Sequence, residues 1–300
     1  MSNFNKNPLS FTEQIELLKS RGLIIDNNDE AERYLKNISY YKLSGYWHTF
    51  LKPPHELHQF KSNTKFSQII KTFIFDRKLR LLIFDQLERI ENSFKTQLIY
   101  NYSIEFGSHW YLNETLYKNI NYKNRFIEIL YDTTKSSKEI FINHYKTKYT
   151  EPELPPSWMS LEIISLGQVS LLYKNLKISK AKKEIAHYFG VDAIVLESWF
   201  ESLSFVRNIC AHHSRLWNRQ LPIKPMIPRN PYNEWLTNIP DRADRIYIIL
   251  TIIFYLSKII NPNTTFNEKL TNLLIEYPEI PLHYMGFPMD WKKDKFWNFY

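Results

Sequence analysis

A short stretch of this chain concentrates side chains that can act on a phosphodiester: Arg207-Asn208, then His212, then Arg215 and Arg219. An imidazole titrates near neutrality and can serve as base or acid. A guanidinium is a fixed, always-charged fork for phosphate oxygens, and an amide can orient either of them. Cleaving RNA without a metal needs little more. A base takes the 2′-hydroxyl proton, an acid protonates the leaving 5′-oxygen, and a cation stabilises the phosphorane. Arg207, Asn208 and His212 are the candidate catalytic residues. One copy of the stripe offers a single histidine for two proton transfers, so a second copy from another protomer could complete the site.

Read as a helix at ~100° per residue, the segment from Ala193 to about Arg219 has two faces. Leu196, Trp199, Phe200, Leu203, Val206, Cys210, His213 and Trp217 fall on one, and Glu201, Asn208, His212, Arg215 and Arg219 on the other. His213 and Cys210 therefore read as packing residues. Arg207 projects near the apolar side, where a lone charge is costly unless paired. A partner is expected from the stretch Phe66 to about Tyr102, which has no Pro or Gly and reads as one long helix with an apolar seam of Leu79, Leu82, Ile83, Leu87, Ile90, Phe94 and Leu98. Beside that seam run Arg77, Arg80, Phe84, Glu88, Glu91 and Lys95. Glu88 or Glu91 is the expected supporting carboxylate, with Glu162 and Glu201 as alternatives.

The remaining chain is also helical in pattern. Ser10 can cap a helix over Phe11 to Lys19 that Gly22 stops, and a second helix begins near Asn28. Ser39 to His48 reads as a kinked aromatic and basic helix, followed by a loop at Pro53-Pro54. Pro155-Pro156-Ser157 starts a helix running through Leu161, Ile164 and Leu172; Asp192 caps the motif helix; Asp241 to Ile260 forms an apolar helix. The tail from Tyr277 to Trp291 looks irregular and aromatic, clamped on the core. With six glycines and no alternating strand pattern, Rossmann and P-loop architectures are disfavoured and an all-α fold is expected. The expected organisation is an N-terminal helical, aromatic-basic region over 1–62, a helical core over 63–262 and a C-terminal tail over 263–300.

Net charge is +8, which suits a polyanionic partner, RNA or DNA before an anionic membrane. Arg215 and Arg219 could track a backbone into the site. Lys42 with Tyr41, Tyr46 and Trp47 forms the remote patch expected to stack on unpaired bases. Cys210 is the single cysteine, so neither a disulfide framework nor a Cys-based zinc site is expected. No apolar run reaches membrane-spanning length, and the first residues lack a signal-peptide stretch, so a cytoplasmic protein without membrane attachment is expected.

The stretch from Arg207 to His212 matches the Arg-x4–6-His motif of HEPN ribonucleases, including a polar residue after the arginine. Its surroundings, through Ala211-His212 to Arg215 and Asn218-Arg219, resemble the abortive-infection AbiD/AbiF-like (Abi_2) family. Tyr40-Tyr41-Lys42-Leu43-Ser44-Gly45-Tyr46, Phe75-Asp76-Arg77-Lys78-Leu79-Arg80, Glu88-Arg89-Ile90-Glu91, Pro156-Ser157-Trp158-Met159, Ser165-Leu166-Gly167 and Met285-Gly286-Phe287-Pro288 extend the resemblance. It implies a HEPN-type helical bundle with additional N-terminal helices. It also implies a homodimer with a composite site, and RNA cleavage without a cofactor in phage defence or as a toxin restrained by an antitoxin, in some members a structured RNA. A non-catalytic RNA-binding module is the alternative. A nucleotidyltransferase is disfavoured because no Asp-x-Asp pair follows Gly107-Ser108, and a metal nuclease because no His/Asp/Glu cluster has ligand spacing.

Overall fold

The computed structural model describes residues 7–297. Among them the chain is all-α. In chain order the helices are α1 Phe11–Ser20, α2 Asn28–Ile38, α3 Tyr40–Trp47, α4 Phe66–Phe106, α5 Ile120–Ser136 and α6 Ile140–Lys148. They continue with α7 Ser157–Ser160, α8 Leu166–Asn175, α9 Lys180–Tyr188, α10 Ala193–Ala211, α11 Ile246–Ile260 and α12 Phe266–Glu276. Two compact units share them: residues 7–79 with 273–280, and residues 80–272 with 281–297. Helices α4 and α12 each run through a boundary.

In the first unit, Ser10 and Glu13 form a capping box that satisfies two backbone N–H groups at the start of α1. Asn27 caps α2 through the Glu30 N–H. A single residue, Ser39, separates α2 from α3 and holds φ 72° and ψ 146°, a region almost reserved for glycine. Leu18, Ala31, Leu35, Leu43 and Tyr46 lie buried with Ile69 and Phe75 of α4. The Tyr46 hydroxyl donates to Asp76 Oδ2 at 2.7 Å inside this core. Phe75 meets Tyr277 edge-on at 5.7 Å and Lys71 pairs with Glu279 at 3.2 Å, which ties 273–280 to the start of α4.

The second unit is organised on the seam expected from the sequence. Ile83, Leu87, Ile90, Phe94, Leu98 and Tyr102 of α4 expose no surface. Phe94 stacks on Phe200 of α10 at 3.5 Å between centroids, with Tyr173 of α8 and Phe189 edge-on to it. Burying each such side chain contributes on the order of 1.5–3 kcal/mol, so this cluster fixes α10 against α4. Gly190 makes the turn into α10 at φ 68°; its carbonyl accepts from the Tyr255 hydroxyl at 2.7 Å, and a Cβ there would lie 2.5 Å from that oxygen. Near the end of the described chain, Trp297 stacks on Phe254 of α11 and donates to the Tyr247 hydroxyl at 2.9 Å.

Three elements differ from the sequence reading. The helix beginning at Ser157 stops at Ser160, and Ser165 with Gln168 forms a second capping box that starts α8. Helix α11 begins at Ile246 rather than Asp241, because the Arg242–Asp244 pair and a bond from Leu221 N to Asp244 O hold 241–245 in turns. A further helix not foreseen, α12, precedes the irregular stretch from Tyr277 to Trp291, which holds only short 3-10 turns.

Candidate functional site

Helix α10 buries Leu196, Trp199, Phe200, Leu203, Val206 and Cys210, as its periodicity demands. Asp192 sits at the N-cap but makes no side-chain cap bond, contrary to the sequence reading. At the other end the helix stops at Ala211, well short of Arg219, with His212 as C-cap. His213 adopts φ 54°, its N–H bonds to Cys210 O at 3.1 Å, and Ser214 N–H bonds to Ile209 O at 3.0 Å. This pair of bonds is a Schellman closure with histidine where glycine is usual. The left-handed conformation costs an L-residue about 1–2 kcal/mol. His213 is therefore an exposed turn residue, not the packing residue its periodicity suggested.

The closure leaves Arg207, Asn208 and His212 on the last turn and cap of α10. Asn208 and His212 are exposed and Arg207 is partly so. None of their side chains makes a hydrogen bond to a described residue. Asn208 and His212 stand four residues apart and share a face. Arg207 and His212 stand five apart, ~140° around the axis, and point in different directions.

Arg207 turns toward α4. Its Nε lies 3.9 Å from Glu91 Oε2, and its guanidinium stands 5.9 Å from the Phe84 ring centroid. The other Glu91 oxygen pairs with Lys95 Nζ at 3.1 Å, and Lys95 also donates to Ile164 O at 2.9 Å. Lys95 is buried, and Glu91 and Phe84 are half-buried. Glu91 is thus shared between a close, buried cation and a distant, partly exposed one. That arrangement positions Arg207 without occupying its N–H donors. Glu88 is exposed and pairs with no described residue. The stripe beside the α4 seam is divided: Arg77 and Glu88 are exposed, whereas buried Arg80 donates to Ser214 O at 3.3 Å just past the motif.

Arg215 and Arg219 do not continue the His212 stripe, because the helix has ended. Arg215 Nη1 donates to the carbonyls of Trp217 and Asn218 at 2.9 and 3.3 Å, and Arg219 Nε to Arg215 O at 2.7 Å. Arg245 Nη1 bonds to Asn218 Oδ1 at 3.1 Å. These cations stitch the turn after α10, so the continuous stripe expected to lead from His212 through Arg215 and Arg219 is not formed. Arg80 and Lys95 belong to the stripe singled out from the sequence, whereas the involvement of Arg245 was not anticipated.

The aromatic-basic patch also needs correction. Tyr46 and Trp47 are 1% and 4% exposed and belong to the core of the first unit, where Trp47 meets Tyr40 and Phe60 edge-on. They cannot stack on bases in the open. Tyr41 and Lys42, on the other face of α3, are exposed. Among the described residues no group of three His, Cys, Asp or Glu side chains could hold a metal ion, and no helix is long and apolar enough to cross a membrane.

A sequence model for the family described as Abi-like protein matches residues 33–218, a span that includes Arg207, Asn208 and His212. No curated protein and no solved structure matches the chain.

Proposed function

This chain belongs to the Abi-like family of abortive-infection proteins, whose work is phage defence, and from that premise we propose that it is a metal-independent HEPN endoribonuclease. The observation that carries the reading is the end of α10. Arg215 and Arg219 are bound to loop carbonyls, whereas the side chains of Arg207, Asn208 and His212 make no hydrogen bond to a described residue; Asn208 and His212 are exposed, and Arg207, 3.9 Å from Glu91, is partly so.

In this reading Arg207 grips a non-bridging phosphate oxygen, and its charge stabilises the phosphorane. His212 takes the 2′-hydroxyl proton; the 2′-oxygen then attacks phosphorus and the P–O5′ bond breaks. A protonated imidazole, His212 of the partner subunit, delivers a proton to the leaving 5′-oxygen. The products are a 2′,3′-cyclic phosphate and a 5′-hydroxyl. Asn208 shares the His212 face and orients the imidazole or the phosphate. Because Arg207 and His212 diverge within one copy, a homodimer that brings two α10 ends together supplies the convergence that one copy lacks. The net charge of +8 suits restraint by an antitoxin that is itself a structured RNA.

The test is cleavage of RNA in EDTA by the wild type and by folded Arg207→Ala and His212→Ala proteins, with analysis of the end groups. Each variant should lose cleavage, and mixing the two should restore part of it if one protomer's arginine serves the other's histidine. Full activity of folded His212→Ala protein, or strict dependence on a divalent ion, would overturn the mechanism. RNA bound but left intact by the wild type would favour a binding module instead.

A further inference from the structure

The first unit holds a cavity of ≈ 620 Å³ that the proposed chemistry does not use, walled by the ends of α1 and α2, by α3, and by the loop at His58. Four of its residues are aromatic rings or imidazole: Tyr40, Tyr41, Trp47 and His58. Arg21 is its one guanidinium, and none of the described residues that line it is acidic. A cation lining a cavity without a carboxylate favours an anionic ligand. Rings around it favour a flat, π-faced one. The two properties together describe a nucleotide.

The construction of the cavity supports that match. Arg21 Nη1 donates to the Tyr40 hydroxyl at 2.7 Å, which fixes the guanidinium while leaving its other N–H groups without a described partner. Arg21 O in turn accepts from Phe60 N–H at 2.8 Å, so the loop carrying His58 is anchored to the end of α1. Trp47 packs edge-on to Tyr40 at 5.0 Å and closes the floor. Tyr41 is 89% exposed at the rim, where no packing accounts for a ring of that size. Ser39, also in the lining, directly precedes the two tyrosines and is held in the glycine-like conformation. Backbone strain of this kind persists only where the surroundings over-determine it, and it clusters at ligand clamps.

We propose that this cavity binds a nucleotide, with the base against Tyr41 and the phosphate on Arg21. The ligand comes from a single-stranded RNA or from the free nucleotide pool. The proposal goes beyond ribonuclease activity and does not need it. The test uses the full wild-type chain and a short 2′-O-methyl oligouridylate, which cannot be cut through its 2′-oxygen. A 4-thiouridine-substituted version provides crosslinks, and uridine monophosphate serves in parallel. Tyr41→Ala should weaken binding about 10-fold, the loss expected when one stacking ring is removed. Tyr41→Phe should bind like the wild type, and crosslinks should map to α3 or the His58 loop. Binding of the monophosphate at the same site marks a free nucleotide as the ligand, and binding of the oligomer alone marks an RNA strand; either supports the pocket. Unchanged affinity in Tyr41→Ala with crosslinks elsewhere, or no binding of either probe, overturns it. Cleavage of 2′-hydroxyl RNA is scored separately, so a chain that cuts RNA but fails here refutes only this inference.

Discussion

Replacing Lys95 should unsettle the fold far more than replacing Arg207, although both cations share Glu91. The Lys95–Glu91 contact is 3.1 Å, with side chains 7% and 14% exposed, and Lys95 also satisfies Ile164 O. Lys95→Met would leave a nearly buried carboxylate with only a distant cation and would orphan a carbonyl. Breaking a buried pair from one side costs about 3–5 kcal/mol, and inward movement of Arg207 would offset part of that. Arg207 is 32% exposed and 3.9 Å from Glu91, so its pair contributes at most about 1 kcal/mol. Its position over Phe84 adds about 0.5–1 kcal/mol. Arg207→Ala should therefore cost about 1–2 kcal/mol and Lys95→Met about 3 kcal/mol or more. Urea titrations followed by far-UV circular dichroism, compared at a common slope, measure the difference. Below its unfolding transition, Lys95→Met protein should also cut RNA more slowly, because Glu91, relieved of its near partner, draws Arg207 closer. A loss above 3 kcal/mol in Arg207→Ala, or a Lys95→Met protein as stable as the wild type, would refute this division between structure and site.

Two further outcomes concern stability alone. Lys182 is fully buried, bonded to Glu197 at 2.6 Å and to the Tyr173 and Leu176 carbonyls, and burial brings its pKa down to about 8 despite the carboxylate. Between pH 8 and the ordinary lysine range the unfolded chain holds this proton and the folded chain has released it, so stability should rise with pH, by up to about 1.4 kcal/mol per pH unit. Glu197 keeps Lys118 at 3.0 Å when Lys182 turns neutral. Above pH 10 the trend should reverse, because burial raises Tyr102, Tyr117 and Tyr173, which ionise more readily once unfolded. Denaturation midpoints across this range should lose the rise in Lys182→Met, and a flat wild-type profile would contradict the assignment. At the end of α10, His213→Gly should stabilise the protein by about 1 kcal/mol by relieving the φ 54° conformation; a lower melting temperature would show that the imidazole has a structural role.

Periodicity and composition alone determined the all-α class, the seam of α4 and the buried face of α10 up to Cys210. They succeeded because a helix repeats its apolar positions every three or four residues, a local property written directly in the sequence. A carboxylate from the stripe beside the longest seam was legible for the same reason, because a buried-side arginine demands a partner, but only the structure chose Glu91 over Glu88. The point at which α10 stops was not legible. Neither glycine nor proline marks it, and the Schellman closure at His213 depends on Arg80, Arg215, Arg219 and Arg245 satisfying carbonyls and an amide of the following turn. Tertiary structure decided that Arg215 and Arg219 bind backbone while Arg207 stays open. It also decided that Tyr46 and Trp47 are core while Tyr41 is not. Side chains of one type divide between structure and surface according to which carbonyls and cavities lie within reach, and only the packed chain brings those within reach.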